Sequence, residues 1–433
     1  MPSSRALLAV AVAVAVLATA ATGCGSDEQV VRIGVLADCQ GALRGFEDAQ
    51  FAGAELPFLR RGADLVGTSP SGGVSSIEVD GRRVELVRGC QETGEHTVYI
   101  EEARRLLENE HVDVVVGGSS VVSRDLAHRY PRAVFVSTFW DEQEITLRRP
   151  AANLFRFSPD YAQREAGLGA YAYHQLGWRR AAIVAGDQTA GWGGAAAFTA
   201  EFCALGGRIV ATAYRSPYTG TPDTVARALA ARPDGVATFL NFLDDPARIL
   251  SSLASRLGDA RRLLVWSTNL EDAALLGTLG GKLDGVVGTT WLPASPASSV
   301  LRDYRRGWRA AFPGLPAPLA DQSAVIGYYN SVEATLTALE RVHSTDVGAG
   351  LSAELRRLRL DLPDGSVSLD RNRQAVRDGY LSRVVVAGGK PALEPVRVVH
   401  RVDQSFAGLL SSAPPPGPGT QPCRRALPPA WAR

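Results

Sequence analysis

Hydroxyl, indole and carboxylate side chains gather in short runs that follow apolar stretches, and those runs are where this sequence has chemistry to offer. Ser119 and Ser120 come after the Val-rich run 112–116 and a Gly117-Gly118 pair. Hydroxyls and main-chain N–H groups ahead of a helix start suit an anionic group. Ser123 fits that role or a helix N-cap equally well. Trp140 and Asp141 follow the apolar run 133–136, Trp192 stands between Gly191 and Gly193, Phe242 follows 236–240, and Thr268 follows 263–266. Aromatic faces in loops make walls for a flat, sugar-like or cationic ligand, whereas Trp266, flanked by an apolar run, reads as core. All of this is binding chemistry. Gly-x-Ser-x-Gly, His-Glu-x-x-His and Gly-Lys-Ser/Thr are all missing from the sequence, and the six histidines (His96, His111, His128, His174, His343 and His400) are scattered. Gly117-Gly118-Ser119 is a faint echo of a nucleophile turn without an acid and a histidine in order behind it. Asp187 reads as an acid at a helix start. The expectation is a binding protein, with no enzyme activity, cofactor or metal.

The first residues say where it works. Arg5 precedes an unbroken run of Ala, Val, Leu and Thr from 6 to 21, and Ala21-Thr22-Gly23-Cys24 leads into polar Gly25-Ser26-Asp27-Glu28. A run this short falls below the ~20 residues that span a bilayer and has the flanks of a signal peptide. Small residues before a cysteine resemble a bacterial lipobox, with Ala21 where Leu is more usual, so Cys24 is expected to carry lipid after removal of residues 1–23. An ordinary secretory peptide with an incidental cysteine is the alternative. Five cysteines become four once Cys24 is set aside, an even number that suits an oxidising compartment. Cys39 follows an expected strand at 31–37 and Cys90 one at 83–88. If those strands are parallel neighbours, both sulfurs sit at one sheet edge, so Cys39–Cys90 is the preferred bridge, leaving Cys203 for Cys423. Four free thiols are the alternative.

The elements that must position these groups come from a chain of 433 residues, natural for two lobes. Its 45% apolar and 21% charged content is that of an ordinary globular protein, and the net charge of +1 argues against a nucleic-acid partner. Strands are expected at 30–36, 83–88, 112–116, 133–136, 181–185, 208–213, 236–240, 263–266 and 286–290. Helices are expected at 43–61, 97–110, 161–177, 194–205, 224–231, 246–257, 298–311 and 323–342, with 68–76 a loop and 155–159 a crossing segment. Strands alternating with helices of this length imply parallel sheets flanked by helices on both faces. The fold class expected is α/β, two Rossmann-like lobes joined by a hinge. The tail 411–433, with Pro414-Pro415-Pro416 and Pro428-Pro429, has too little apolar periodicity to fold alone.

An exported chain of two such lobes resembles a type I periplasmic substrate-binding protein. Several stretches resemble the branched-chain amino-acid (leucine/isoleucine/valine)-binding family of ABC importers. These are Ile33-Gly34-Val35-Leu36, the strand and Gly/Ser turn at 112–120, Val136-Ser137 with Glu144-Ile145-Thr146, and Phe155-Arg156-Phe157-Ser158-Pro159 as the first hinge crossing. Gly191-Trp192-Gly193 stands where Tyr-Gly is usual; Gly207-Arg208-Ile209-Val210 and the helix 324–339 with Gly327-Tyr328-Tyr329 follow. The resemblance covers residues 30–390. It implies a first lobe from 24–157 and 289–365, a second from 158–288 and 366–400, and a tail at 401–433. It also implies capture of a small polar ligand between the lobes and delivery to an ABC permease, by a monomer held to the outer face of the membrane through its lipid. The site implied is Ser119, Ser120, Trp140, Asp141, Trp192, Phe242 and Thr268. In the family the loop at 138–141 supplies donors to an amino acid's carboxylate, which Asp141 would repel. Thr268 occupies the place of the acid that holds the ammonium, with Glu271 and Asp272 nearby at a helix start. The sequence thus leans away from a standard branched-chain amino acid. A sensor of the same fold, or a surface lipoprotein with a degenerate pocket, is the alternative.

Overall fold

A computed structural model of the chain describes residues 29–92, 95–118, 120–138, 141–216, 223–294, 297–344, 346–411, 415, 417 and 422–433. The leader, Cys24, Ser119 and Trp140 lie outside the described residues, and Ser120 and Phe242 are described in backbone only.

The apolar runs become strands because both their faces are covered, which lets Val and Ile run on without alternation. The first sheet holds β1 (Val30–Gln40), β2 (Ile77–Val79), β3 (Arg82–Glu92), β4 (Val114–Gly117), β5 (Val134–Ser137) and β6 (Leu154–Arg156). Their order is β2-β3-β1-β4-β5-β6, with only β2 antiparallel to its neighbour. The second sheet holds β7 (Arg180–Gly186), β8 (Arg208–Arg215), β9 (Gly235–Phe239), β10 (Leu263–Val265), β11 (Val287–Thr290), β12 (Arg359–Leu362), β13 (Gly365–Leu369), β14 (Ala375–Ala387) and β15 (Lys390–Val402). Its order is β12-β13-β14-β11-β10-β9-β7-β8, with β15 on β14. The part from β11 to β8 is parallel; β14 joins β11 antiparallel. Helices Ser299–Ala311 and Ser323–Leu339 return to the first sheet, the second of them packing in one apolar core with β1, β4 and β5. The chain therefore crosses between sheets after β6, after β11 and after the helix Val347–Arg357.

Two expected helices come out differently. In place of one helix over 161–177, Asp160 Oδ1 accepts the N–H groups of Ala162 (2.9 Å) and Gln163 (2.7 Å), closing a 3-10 turn at Gln163–Glu165. Helix proper starts only at Leu168–His174, its free N–H groups at Gly169 and Ala170 taken by the buried Glu201 carboxylate. Trp192 was placed in a loop by its two glycines; it lies inside the helix Thr189–Ala204. Those glycines serve close approach instead: a Cβ on Gly193 would stand 2.7 Å from that of Tyr161.

Both expected disulfides are present. Cys39–Cys90 joins β1 to β3, whose register pairs Ala37 with Cys90. Cys203–Cys423 ties the tail to the helix Thr189–Ala204. The tail is also read at its end: the Trp431 indole donates to Glu201 (2.7 Å) and stacks edge-on against Phe406, and Arg397 donates to the Trp431 carbonyl (2.6 Å). Closing a separation of 220 residues restricts the unfolded chain by about 5 kcal/mol in chain-entropy terms. A tail can detach locally, however, so less than this should reach global stability. In a Cys203→Ser/Cys423→Ser variant, limited proteolysis is expected to clip beyond Ser411 many-fold faster while circular dichroism of the two-sheet body barely changes. Equal clipping would mean that the Trp431 contacts alone hold the tail.

Candidate functional site

In an open α/β sheet the space beyond the carboxyl ends of the strands is where ligands bind. On the first sheet β4 ends in Gly117 and Gly118, both left-handed, and a Cβ on Gly118 would run into the Tyr99 ring at 2.3 Å. That contact seats the buried Tyr99 hydroxyl 2.8 Å from Ser123 Oγ, on the helix Ser120–Arg129, and burial holds the phenol well above its usual range. So Ser123 is bonded to Tyr99, and Ser120 heads the helix as the Gly-Ser turn leads one to expect. At the end of β1, Asp38 is fully buried and exchanges two hydrogen bonds with Gln50, its N–H to Oε1 (2.7 Å) and Nε2 to its carboxylate (3.0 Å). Tyr328 donates to the Leu36 carbonyl beside it.

On the second sheet, Trp192 is half-buried at the carboxyl end of β7, and its indole N–H donates to Asp187 (3.0 Å). The end of β9 is a capped turn: Asn241 accepts from Leu243 N–H (2.8 Å), and the Asp244 carboxylate accepts from Asn241 N–H (2.9 Å). Phe242 opens that turn. Burial pushes the Asp244 carboxyl up to about 6. Thr268 is half-buried on the short helix Ser267–Leu270 after β10, and Trp266 is core, 2% exposed. Asp272 caps the next helix, accepting from Ala274 (2.9 Å) and Leu275 (3.0 Å).

Where the sheets meet, the strand ends converge on two neighbouring residues, Arg164 and Glu165. Asp141, in the loop after β5, is fully buried and ion-paired with Arg164, and it accepts a second bond from Ser158 Oγ (2.9 Å). The Arg164 guanidinium lies 4.5 Å from the ring centre of Trp291, just past β11. Glu165 accepts from Ser267 Oγ after β10 (3.2 Å) and from Thr289 Oγ1 in β11 (2.6 Å), and burial still pushes its carboxyl up to about 8. Glu271 accepts from the Trp291 N–H, and burial takes it to about 8 as well. Beneath them Arg156, fully buried, donates to Gln374 Oε1 (2.5 Å), the Glu142 carbonyl (2.9 Å) and Thr146 Oγ1 (2.7 Å), stitching the first crossing to the loop between β13 and β14.

The structure thus brings Asp141 together with residues sequence reading passed over: Arg164, Glu165 and Trp291. Arg164 and Glu165 were hidden inside an expected helix, where charges read as a solvated face. The signal available was Asp160 ahead of them, a residue that closes turns on its own side-chain oxygen. Trp192, Phe242 and Thr268 follow three different strands of the second sheet, β7, β9 and β10. The acids Asp141, Glu165 and Glu271 are engaged by internal donors. What the arrangement offers is polar and aromatic groups at the rims of two linked sheets.

Two parallel-stranded lobes linked by crossing segments, with their polar strand ends at the junction, define a solute-binding protein of the type I periplasmic class. The profile described as periplasmic binding protein matches residues 30–390, and the chain belongs to that family. It is similar in structure to an ABC transporter substrate-binding protein from Sphaerobacter thermophilus (TM-score 0.74, 23% identity, covering 87% of this chain and 99% of the other). A solute-binding protein from R. palustris solved with 4-hydroxybenzoate gives a TM-score of 0.71 at 18% identity, covering 87% and 98%. A leucine-binding protein from Thermotoga maritima gives 0.67 at 20% identity, covering 86% and 99%. No curated protein matches the chain. Among the described residues no helix is long and apolar enough to cross a membrane.

Proposed function

We propose that this chain is an exported, lipid-anchored solute-binding protein that captures a small polar or aromatic ligand between its lobes and delivers it to an ABC permease. The observation that carries the reading is the convergence of strand ends from both sheets on Arg164 and Glu165, which links occupancy of the space between the lobes to their relative position. The acids around that junction favour an anionic or neutral cargo over an amino acid. Asp141 is held by Arg164, Asp187 by Trp192, Glu165 by Ser267 and Thr289, and Glu271 by the Trp291 N–H. An α-ammonium group would have to compete with those partners for the same carboxylates. Trp192 supplies aromatic surface, and four structurally similar R. palustris proteins were solved with benzoate or its hydroxylated relatives.

The test is a thermal-shift panel of residues 25–433 against benzoates, amino acids, sugars and polyamines. A ligand at ~100 times its dissociation constant adds about 2.7 kcal/mol of stability. A shift with an aromatic carboxylate is expected; a shift with leucine alone would reverse the reading of the acids. Trp192→Ala is expected to weaken the cargo found by about tenfold to a hundredfold, the worth of one large aromatic surface, with the melting temperature of the free protein unchanged. Unaltered affinity in a calorimetric titration would remove Trp192 from the site. For the anchor, Cys24→Ser should move the protein from the membrane fraction to the soluble one; retention on the membrane would exclude lipid on Cys24.

A further inference from the structure

We propose that the second lobe carries another ligand site, for a small carboxylate with an apolar body, at the end of its sheet opposite the junction. A cavity of about 350 Å³ opens there at the amino ends of β10 and β11, within the size range of small-molecule sites. Its inner wall is buried and apolar: Leu263, Leu264, Val287 and the ring of Tyr171 are each under a tenth exposed. Its rim is cationic, with Arg261 from the turn before β10 and Arg383 from β14.

Arg383 is out of place for a structural residue. Register puts Leu264, Val287 and Arg383 in one row across three strands, on one face of the sheet. Leu381, two residues earlier in β14 and so on the same face, is 1% exposed and packs in one core with Leu264, Val287 and Tyr171. An apolar residue would extend that core; the chain has an arginine, and the cavity lies over it. The neighbouring acids do not neutralise the rim. Asp259 accepts from Arg261 N–H (2.8 Å) and Asp284 from Val386 N–H (3.0 Å). Glu394 stands opposite Arg383 in β15, yet among the described residues neither the Arg261 nor the Arg383 guanidinium has an ion-pair partner. Two guanidinium groups above an apolar pocket match a carboxylate head on an apolar body, because the planar fork pairs with both carboxylate oxygens.

The experiment is a ¹⁹F NMR titration of the chain 25–433 with 4-fluorobenzoate, using 4-fluorobenzamide as the uncharged counterpart. The Trp192→Ala background separates this cavity from the space between the lobes. Saturable binding of the benzoate that persists in Trp192→Ala is expected. In that background it should weaken about tenfold to a hundredfold on adding Arg261→Ala/Arg383→Ala, as charge-assisted hydrogen bonds are lost, and the benzamide should not compete. Both arginines are exposed, so the double variant should melt as the parent does. Ala260→Trp, which fills the cavity from its edge, should abolish the same signal if the double variant misfolds. Benzoate binding that vanishes in Trp192→Ala, survives loss of both arginines in that background, or never appears overturns the proposal.

Discussion

Asp141→Ala is expected to destabilise the folded chain by about 3–5 kcal/mol, the usual penalty for removing one partner of a buried ion pair and leaving the other without compensation. Asp141 is fully buried and Arg164 is 8% exposed, so water cannot take over as the missing partner. Arg164 would keep its contact with the Trp291 ring, which offsets only part of that loss. Converting both, as Asp141→Leu/Arg164→Met, should restore much of the stability, because the desolvated charges disappear together. A double-mutant cycle by urea denaturation measures this, and a coupling energy of about 2 kcal/mol or more is expected. Near-additive losses would mean that Asp141 and Arg164 act separately. The pair also spans the two lobes, so the single variants should change the ligand-induced compaction seen by small-angle scattering even where affinity survives.

Stability should fall as pH rises from about 5 to above 8. Glu55, Glu165 and Glu271 are each taken by burial up to about 8, so between the ordinary carboxyl range and that value the folded chain holds protons that the unfolded chain releases. The folded state then binds more protons than the unfolded one, and each such group lowers stability by up to about 1.4 kcal/mol per pH unit across that window. Glu55 isolates the effect. It is fully buried in the helix Glu47–Leu59, among the described residues neither carboxyl oxygen has a hydrogen-bond partner, and Arg88 offsets its burial only in part. Glu55→Gln should leave the melting temperature near pH 5 unchanged, raise it at pH 8.5 and flatten the profile between. A parallel profile for the variant would show that Glu55 ionises as an ordinary surface carboxyl does.

Much of the fold was legible because strands buried on both faces are written largely in Val, Ile, Leu and Ala, as 114–116 and 181–185 are. The Cys39–Cys90 bridge was legible for a related reason: parallel neighbours end at the same edge, so two cysteines just past such strands come within reach. The candidate site was less legible. Trp192 was read into a loop since glycine disfavours helix; in the folded chain Gly193 lets Tyr161 approach, and that contact outweighs local propensity. The late helix start at Leu168 depends on a cap supplied by Glu201, more than thirty residues away, which no window of neighbouring residues contains. By itself the sequence determined the two-lobed α/β architecture and the pairing of four cysteines, because these follow from hydrophobic burial and strand direction. Only the tertiary structure decided that Asp141 meets Arg164, that Glu165 gathers the ends of β10 and β11, and that Arg383 stands over an apolar cavity. Those are meetings between distant segments, fixed by which side chains share a buried space rather than by any spacing along the chain.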